Sequence, residues 1–469
     1  MEKPLKVRLH IISPVHIGCD DVYEPMSFKV DDVKKKLIVF DPLNFIKLLS
    51  AEDKQQFTKY CLQGDISSII SIYKFISNRQ VNGREVDISD KLIAHYKKVR
   101  DFPIKDEKKI KQELNQFSIS RTAYNPHNRI PYIPGSSLKG AMRTAYLSAQ
   151  AAAKGIKGRR DNAKELEIEL LGGSFEEDPF RMVKVSDFHP AGEVTTKIVY
   201  AVNQKKTGEA GRGVYHILEV IQEGNVFEGL INIEQPELNS GIKKPIGEME
   251  LLKSINDFFA NRLGEEPVIE GRINTRFGDK LKKMAFLFRV GRHSGSEAVT
   301  IEGNRWVKVS PPGKPLKFSD KGATTVWLAS ETSKPVSNNS LIPFGWAVLE
   351  LLPLDMKNIY PVSTIRNMTA INENAEIIPK PIVVKPAHTM PISQPLLWEN
   401  ASLIWNPGNM TLTATKDNKK AEIRLSSNRD AVPKPLRNKL FEKRKSVTAN
   451  VTVEPYGNTF KIVKIDMHH

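Results

Sequence analysis

Lys139 and Arg143 stand one helical turn apart, just past the small-residue turn Gly135-Ser136-Ser137 and on either side of Gly140. That order of turn, small residues and basic helix suits the holding of phosphate. A helix N-terminus offers unpaired N–H groups and the positive end of the peptide dipole, and serine hydroxyls add donors. From Leu114 to Arg160 the chain has no Asp or Glu, yet it carries Arg121, Arg129, Lys139, Arg143, Lys154, Lys157, Arg159 and Arg160. A charge run usually marks a solvated helix face. Such faces mix both signs, so the missing acids favour a surface on which a polyanion lies. Far along the chain, Gly291, Arg292, His293, Ser294 and Gly295 repeat the same residue types. Each glycine alone reads as a plain turn. With Arg and Ser beside it in both places, close approach of phosphate to the backbone is the better reading. His16 and His293 are the two candidates for proton transfer near neutral pH.

These residues need elements to position them. LKVRLHIIS (5–13) alternates as a strand, and 24–30 with 36–41 reads as a hairpin across Asp31-Asp32. Residues 42–117 turn helical and polar, as an insertion of short amphipathic pieces. The turn and helix around residue 135 follow, then a helix near 161–171. Strands are expected at 180–188, 196–202, 215–222, 225–234, 284–291 and 342–353, with an amphipathic helix at 247–263. The fold class is therefore α+β. Its order suggests two ferredoxin-like domains, residues 1–190 and 191–352, although no sequence repeat demonstrates a duplication. Prolines crowd the stretch to residue 395, so 353–395 reads as an extended linker. Residues 396–469 hold short strands and read as a small β-rich appendix, barrel or sandwich. Lys434, Arg437, Lys439, Lys443, Arg444 and Lys445 in that appendix suit single-stranded RNA or a solubilising surface equally.

Composition narrows the partner. Seventy Lys and Arg against 54 Asp and Glu give a net charge of +16 and a pI near 9.5. Nucleic acid or an anionic membrane fits such an excess. No apolar run approaches a membrane span, and MEKPLKVRLH lacks a signal-peptide core, so a soluble cytoplasmic protein without membrane contact is expected. Two cysteines, Cys19 and Cys61, exclude a disulfide framework or a zinc ribbon, and no HExxH occurs. No metal and no cofactor are expected. The final His468-His469 pair is set aside.

Four segments together carry a family resemblance. They are ISPVHIG (12–18), YIPGSSLKGAMR (132–143), DPFRMVKVSD (178–187), and RVGRHSGSEAVTIEGNR (289–305) followed by PFGWAVLEL (343–351). In this order and spacing the chain resembles the RAMP proteins of type III CRISPR effector complexes. The RHSGSEAVT loop and FGWAVLEL close look most like the fifth subunit of the Csm, or type III-A, complex. The resemblance covers residues 5–352 and does not reach the appendix. It implies RRM-like ferredoxin domains that grip a CRISPR guide RNA through His16, Gly18, Arg121, Arg129, Gly135, Ser136, Ser137, Lys139, Gly140, Arg143, Arg181, Lys184, Gly291, Arg292, His293, Ser294 and Gly295. It also implies a subunit that caps the guide 3′ end, touches the other Csm backbone and small subunits, and meets target RNA indirectly. Such a subunit is needed for complex assembly and for guide 3′-end maturation by host trimming nucleases, in antiviral defence.

Rival chemistries fit the residues less well. GSSLKGAMRT departs from G-x-x-x-x-G-K-[ST], since Ala141 follows Gly140, so an NTPase is not expected. The aromatic stacking signature K/R-G-F/Y-G/A-F is absent. A RAMP endoribonuclease acting without metal would use His16 and His293, but no third group completes such a site. Metal-dependent cleavage would call on Asp20-Asp21 or Asp31-Asp32, which read as solvated turn acids. A ribosomal or RNA-chaperone binder would also fit the charge. A non-catalytic guide-binding subunit is the leading expectation.

Overall fold

The computed structural model describes residues 4–103, 107–158, 163–208, 214–281, 284–309, 317–353, 396–406, 411–417, 419–424, 432–442, 446–456 and 459–466. They fall into two compact units, one running up to Pro353 and one from Leu396. The stretch expected to be a linker lies almost wholly outside the described residues, as do Arg159, Arg160, Lys443, Arg444 and Lys445 of the basic clusters.

Two sheets build the larger unit. The first has the order Ala285–Arg289, Trp346–Leu352, Leu5–Ile11, Val226–Ile233, Val183–Val185, antiparallel throughout, with His189–Pro190 also on Val226–Ile233. The second runs Gly18–Val22, Ile119–Thr122, His216–Ile221, Thr196–Lys205, Arg84–Asp87, Lys36–Val39, Phe28–Asp31, and Thr325–Ser330 pairs with Thr196–Lys205. Both sheets draw on both halves of the chain. A domain boundary between residues 190 and 191 therefore cuts through each sheet, contrary to the sequence expectation. The reason is physical: Leu5–Ile11 finds its partners more than 200 residues away, and alternation along a strand says nothing about its partner.

Helix Gly135–Ala153 buries Leu138, Met142, Ala145 and Tyr146 in the core that also holds Val7, Leu9, Phe227, Ile231 and Phe288. Burial of each large apolar side chain contributes about 1.5–3 kcal/mol. The insertion at 42–117 folds as helices Pro42–Leu48, Ala51–Gln63, Ile66–Ser77, Asp90–Arg100 and Glu107–Gln116, interrupted by strand Arg84–Asp87. Asp41, Ser50, Asp65 and Ser89 each cap the following helix by accepting a backbone N–H three residues on. Phe40, Phe45, Phe57, Phe75 and Ile76 form a core of their own there. The strand expected over 180–188 is shorter, because Asp178-Pro179 opens a 3-10 turn at Pro179–Arg181 before Val183–Val185.

The second unit is a closed barrel of strands Leu396–Asn406, Thr411–Lys416, Lys419–Arg424, Val447–Tyr456 and Thr459–Asp466. A helical segment, Lys434–Arg437 continuing as Asn438–Glu442, precedes the fourth strand.

Candidate nucleic-acid interface

Residues 12–17 carry the chain from the first sheet to the second, and two loops are stitched to this crossing. The Arg292 N–H donates to the His16 carbonyl at 2.8 Å, and the Gly345 N–H donates to the Pro14 carbonyl at 2.9 Å. The Trp346 N–H donates to the Ser13 hydroxyl at 2.9 Å. On the other side, the Ile17 N–H donates to the Thr122 hydroxyl at 3.1 Å and the Ala123 N–H to the Ile17 carbonyl at 2.7 Å. Beneath the crossing, buried Glu219 pairs with Arg84 at 2.7 Å. Gly291 has φ +95°, and a Cβ there would lie 2.6 Å from the His16 carbonyl oxygen, so only glycine allows this approach.

A groove of about 350 Å³ opens where these loops meet the start of helix Gly135–Ala153. Gly18, Ser136, Ser137, Gly140, Thr144, Gly291, Arg292 and Ser294 line it, with no carboxylate in the lining. Seven of the expected residues are thus brought together from three distant segments. Gly140 faces open space, while Arg292 is exposed and Ser294 is fixed by donating to the Gly291 carbonyl at 2.8 Å. Backbone N–H groups, hydroxyls and one free-standing guanidinium are the donors suited to a phosphodiester chain without base readout.

Other expected residues serve elsewhere. Gly135 lets the helix start pack on strand Val183–Val185, since a Cβ would lie 2.3 Å from the Val185 carbonyl oxygen. Its N–H is already taken by an Asp187 carboxylate oxygen at 2.8 Å. Arg143 is committed to Glu167 at 2.7 Å and Asp178 at 2.8 Å, so it ties the helix to its neighbours and does not reach the groove. The run without acids found its carboxylates just beyond its end. Lys139 sits beside Lys184, with burial and then that like charge holding its ammonium pKa below the ordinary lysine range. Lys184 lies 4.0 Å from Glu234. Arg121 stacks on Tyr124 with 3.6 Å from guanidinium carbon to ring centre, and Arg129 pairs with Asp41 at 2.6 Å. Arg181 donates to the Glu176 carbonyl at 2.7 Å. Gly295, at φ +88°, starts the 3-10 turn Ser296–Ala298.

The two histidines are packed. His16 is 1% exposed and its Nδ1 donates to the Glu219 carbonyl at 2.7 Å, leaving Nε2 buried without a partner. Burial, opposed by that hydrogen bond, lowers its pKa. His293, at φ +66°, packs against His216, Trp327 and Phe344 with ring centres 4.8–5.6 Å away. Burial first, then Arg292, pushes its pKa down to about 3. Both imidazoles are neutral at pH 7, and neither has a carboxylate to orient it.

Sequence reading missed a second groove of about 580 Å³ that shares Arg292 with the first. Lys108, Lys111, Gln112, Asn115, Gln116, Ser118, Ser120, Tyr215 and His216 line it. The one signal was the spacing of Lys108, Lys111 and Asn115 on a single face of helix Glu107–Gln116. The facing strand lies 100 residues onward and is silent about the pairing. Among the described residues no cluster of His, Cys, Asp and Glu could hold a metal ion, and no helix is long and apolar enough to cross a membrane.

The model of the RAMP superfamily matches residues 8–293, and the chain belongs to that superfamily. In particular it is similar to two proteins described as CRISPR system Cms protein Csm5. The one from Methanocaldococcus jannaschii is 28% identical over 196 residues, 39% of this chain and 42% of the relative. The one from Enterococcus italicus is 26% identical over 179 residues, 33% of this chain and 46% of the relative. The chain thus spans less than half the length of each curated relative it matches. Both carry the name of the subunit that the glycine loop and closing strand resemble. Among solved structures, a chain of a Csm–crRNA–target RNA ternary complex of a type III-A CRISPR-Cas system aligns with a TM-score of 0.48 and 17% identity, over 74% of this chain and 100% of that one. The crystal structure of T. onnurineus Csm5 aligns with a TM-score of 0.40 and 16% identity, over 73% and 99%.

Proposed function

We propose that this chain is a non-catalytic subunit of a type III-A Csm interference complex that holds the guide RNA near its 3′ end. The observation that carries this reading is the carboxylate-free groove at which Gly18, Ser136, Ser137, Gly140, Gly291, Arg292 and Ser294 converge. The second groove, joined to it at Arg292, extends a track of donors for the same strand. We read the two sheets as those of ferredoxin-like domains that present these loops. Capping the guide, contacting neighbouring Csm subunits and supporting the trimming of the guide 3′ end by other nucleases are the roles this placement would serve. His16 is buried and His293 half-buried, both are neutral and neither has an orienting acid, which supports a holding role over general acid–base cleavage.

The test is to tag the chain in its host and sequence the RNA that copurifies with it and with two variants. Arg292→Glu should strip the RNA and leave untrimmed guides. Arg143→Ala should leave guide recovery unchanged, because its charge is spent on Glu167 and Asp178. Recovery of heterogeneous cellular RNA by the wild type, or RNA cleavage by the pure chain, would overturn the proposal.

A further inference from the structure

We infer that the hairpin following the glycine loop is an arm on which unpaired RNA bases stack as the strand leaves the first groove. This rests on the proposed reading of that groove and adds a contact with bases, whereas the groove itself offers donors for phosphate. Strands Val307–Val309 and Lys317–Ser319 pair with each other and belong to neither large sheet. Lys308 lies directly opposite Phe318, and Trp306, two residues before Lys308, shares their side by alternation. That side is the open one: Trp306, Lys308 and Phe318 are exposed, while Val307, Val309 and Ser319 are half-buried. The Trp306 and Phe318 rings stack on each other, with 5.7 Å between centres and 15° between planes. They stay 43% and 46% exposed even so.

A cross-strand aromatic pair steadies a hairpin, which is the ordinary use of two such rings. Two further observations point to a ligand. One is where the hairpin stands. Both of its feet rest on Glu297: the Arg305 guanidinium donates to the Glu297 carbonyl at 3.3 Å, and the Ala323 N–H donates to its carboxylate at 3.0 Å. Gly322, at φ +114°, allows this approach, since a Cβ there would lie 2.2 Å from the same carboxylate. The next two residues, Ala298 and Val299, line the groove, and Val299 is 62% exposed. The arm is therefore rooted at the edge of the groove. The other observation is charge. The described residues of the arm, 305–309 and 317–323, carry Arg305, Lys308, Lys317 and Lys321 against Asp320 alone. Glu297 adds little repulsion at the base, because Lys206 pairs with it at 2.9 Å. Aromatic faces among cations hold single strands, since every base has a face to stack and every step a phosphate to neutralise. An apolar protein partner would have to desolvate these cations, which an RNA strand pairs instead.

The experiment measures binding of the full chain to an adenosine RNA of about 15 nucleotides, and to a strand of equal length with abasic spacers in place of bases. The wild type should hold the base-bearing strand about tenfold more tightly, with the same salt dependence for both. Trp306→Ser combined with Phe318→Ser should lose that preference and keep the salt dependence. Trp306→Tyr combined with Phe318→Tyr keeps both rings and should retain the preference. Arg292→Glu should weaken both strands and flatten the salt dependence while the preference persists, so groove and arm fail separately. No preference in the wild type, or one that survives in the serine variant, overturns the inference. A serine variant that binds both strands like the wild type, yet no longer copurifies with other subunits, would make the rings a protein contact and overturn it too. Unchanged binding by Arg292→Glu would sink the groove reading instead and, with the preference present, leave the arm as the point of contact.

Discussion

At the scale of single residues, His293 shows how a side chain chosen for one chemistry is built for another. Its type and its place beside Arg292 suggested proton transfer or a phosphate contact. Its left-handed backbone at φ +66° instead drives the ring inward onto Trp327 and Phe344, where burial pushes its pKa to about 3. The unfolded chain binds a proton at this histidine below about pH 6.5, and the folded chain does not until about pH 3. A lowered folded pKa therefore means stability that is complete at pH 7 and is lost as pH falls through that window. His16, shifted in the same direction, adds to the slope. His293→Asn, which tolerates the left-handed backbone, should lose less stability than the wild type between pH 7 and pH 5. Thermal melts across that range measure it. Equal slopes for both proteins would mean that His293 titrates normally. Gly291 was legible as a glycine that phosphate could approach. What sequence could not say is that the His16 carbonyl presses on it from the other side.

Elements were read best where their signals are local. The capped helices of the 42–117 insertion follow from Ser and Asp placed just before apolar spacing, and those caps are made. Helix Gly135–Ala153 was legible as a helix, but its start was not, since Gly135-Ser136-Ser137, read as a turn before it, forms its first turn. Pro134 offers no side-chain cap, and the first N–H is held by Asp187, 52 residues onward and across a sheet edge. That contact fixes the start of the helix beside Val185, which in turn sets where Ser136 and Ser137 face. Asp187→Ala should destabilise the chain by about 1 kcal/mol, the usual cost of a lost cap. Gly135→Ala should cost more, since its methyl would collide with the Val185 carbonyl. Urea unfolding with an unchanged m-value checks both. A Gly135→Ala chain as stable as the wild type would show that the close approach relaxes freely.

At the scale of the whole molecule, strand types were legible and their partners were not. Leu5–Ile11 sits between Val226–Ile233 and Trp346–Leu352, and Gly18–Val22 joins the other sheet. The groove exists only because this N-terminal crossing touches loops that arrive some 120 and 275 residues later, a closure whose entropic cost grows slowly with length. A fragment of residues 1–190 would contain the turn and helix of the site yet lack both neighbours of its first strand. Its first strand would be unpaired on both edges, exposing Val7, Leu9 and Ile11, which the intact chain buries completely. Such a fragment should show no cooperative melt and should aggregate, whereas residues 1–353 should unfold in one transition. Circular dichroism melts of the two fragments decide it. A cooperative transition in residues 1–190 would mean that the N-terminal half carries a self-sufficient core, and the two sheets would then have to be regarded as assembling after folding and not as one interleaved unit.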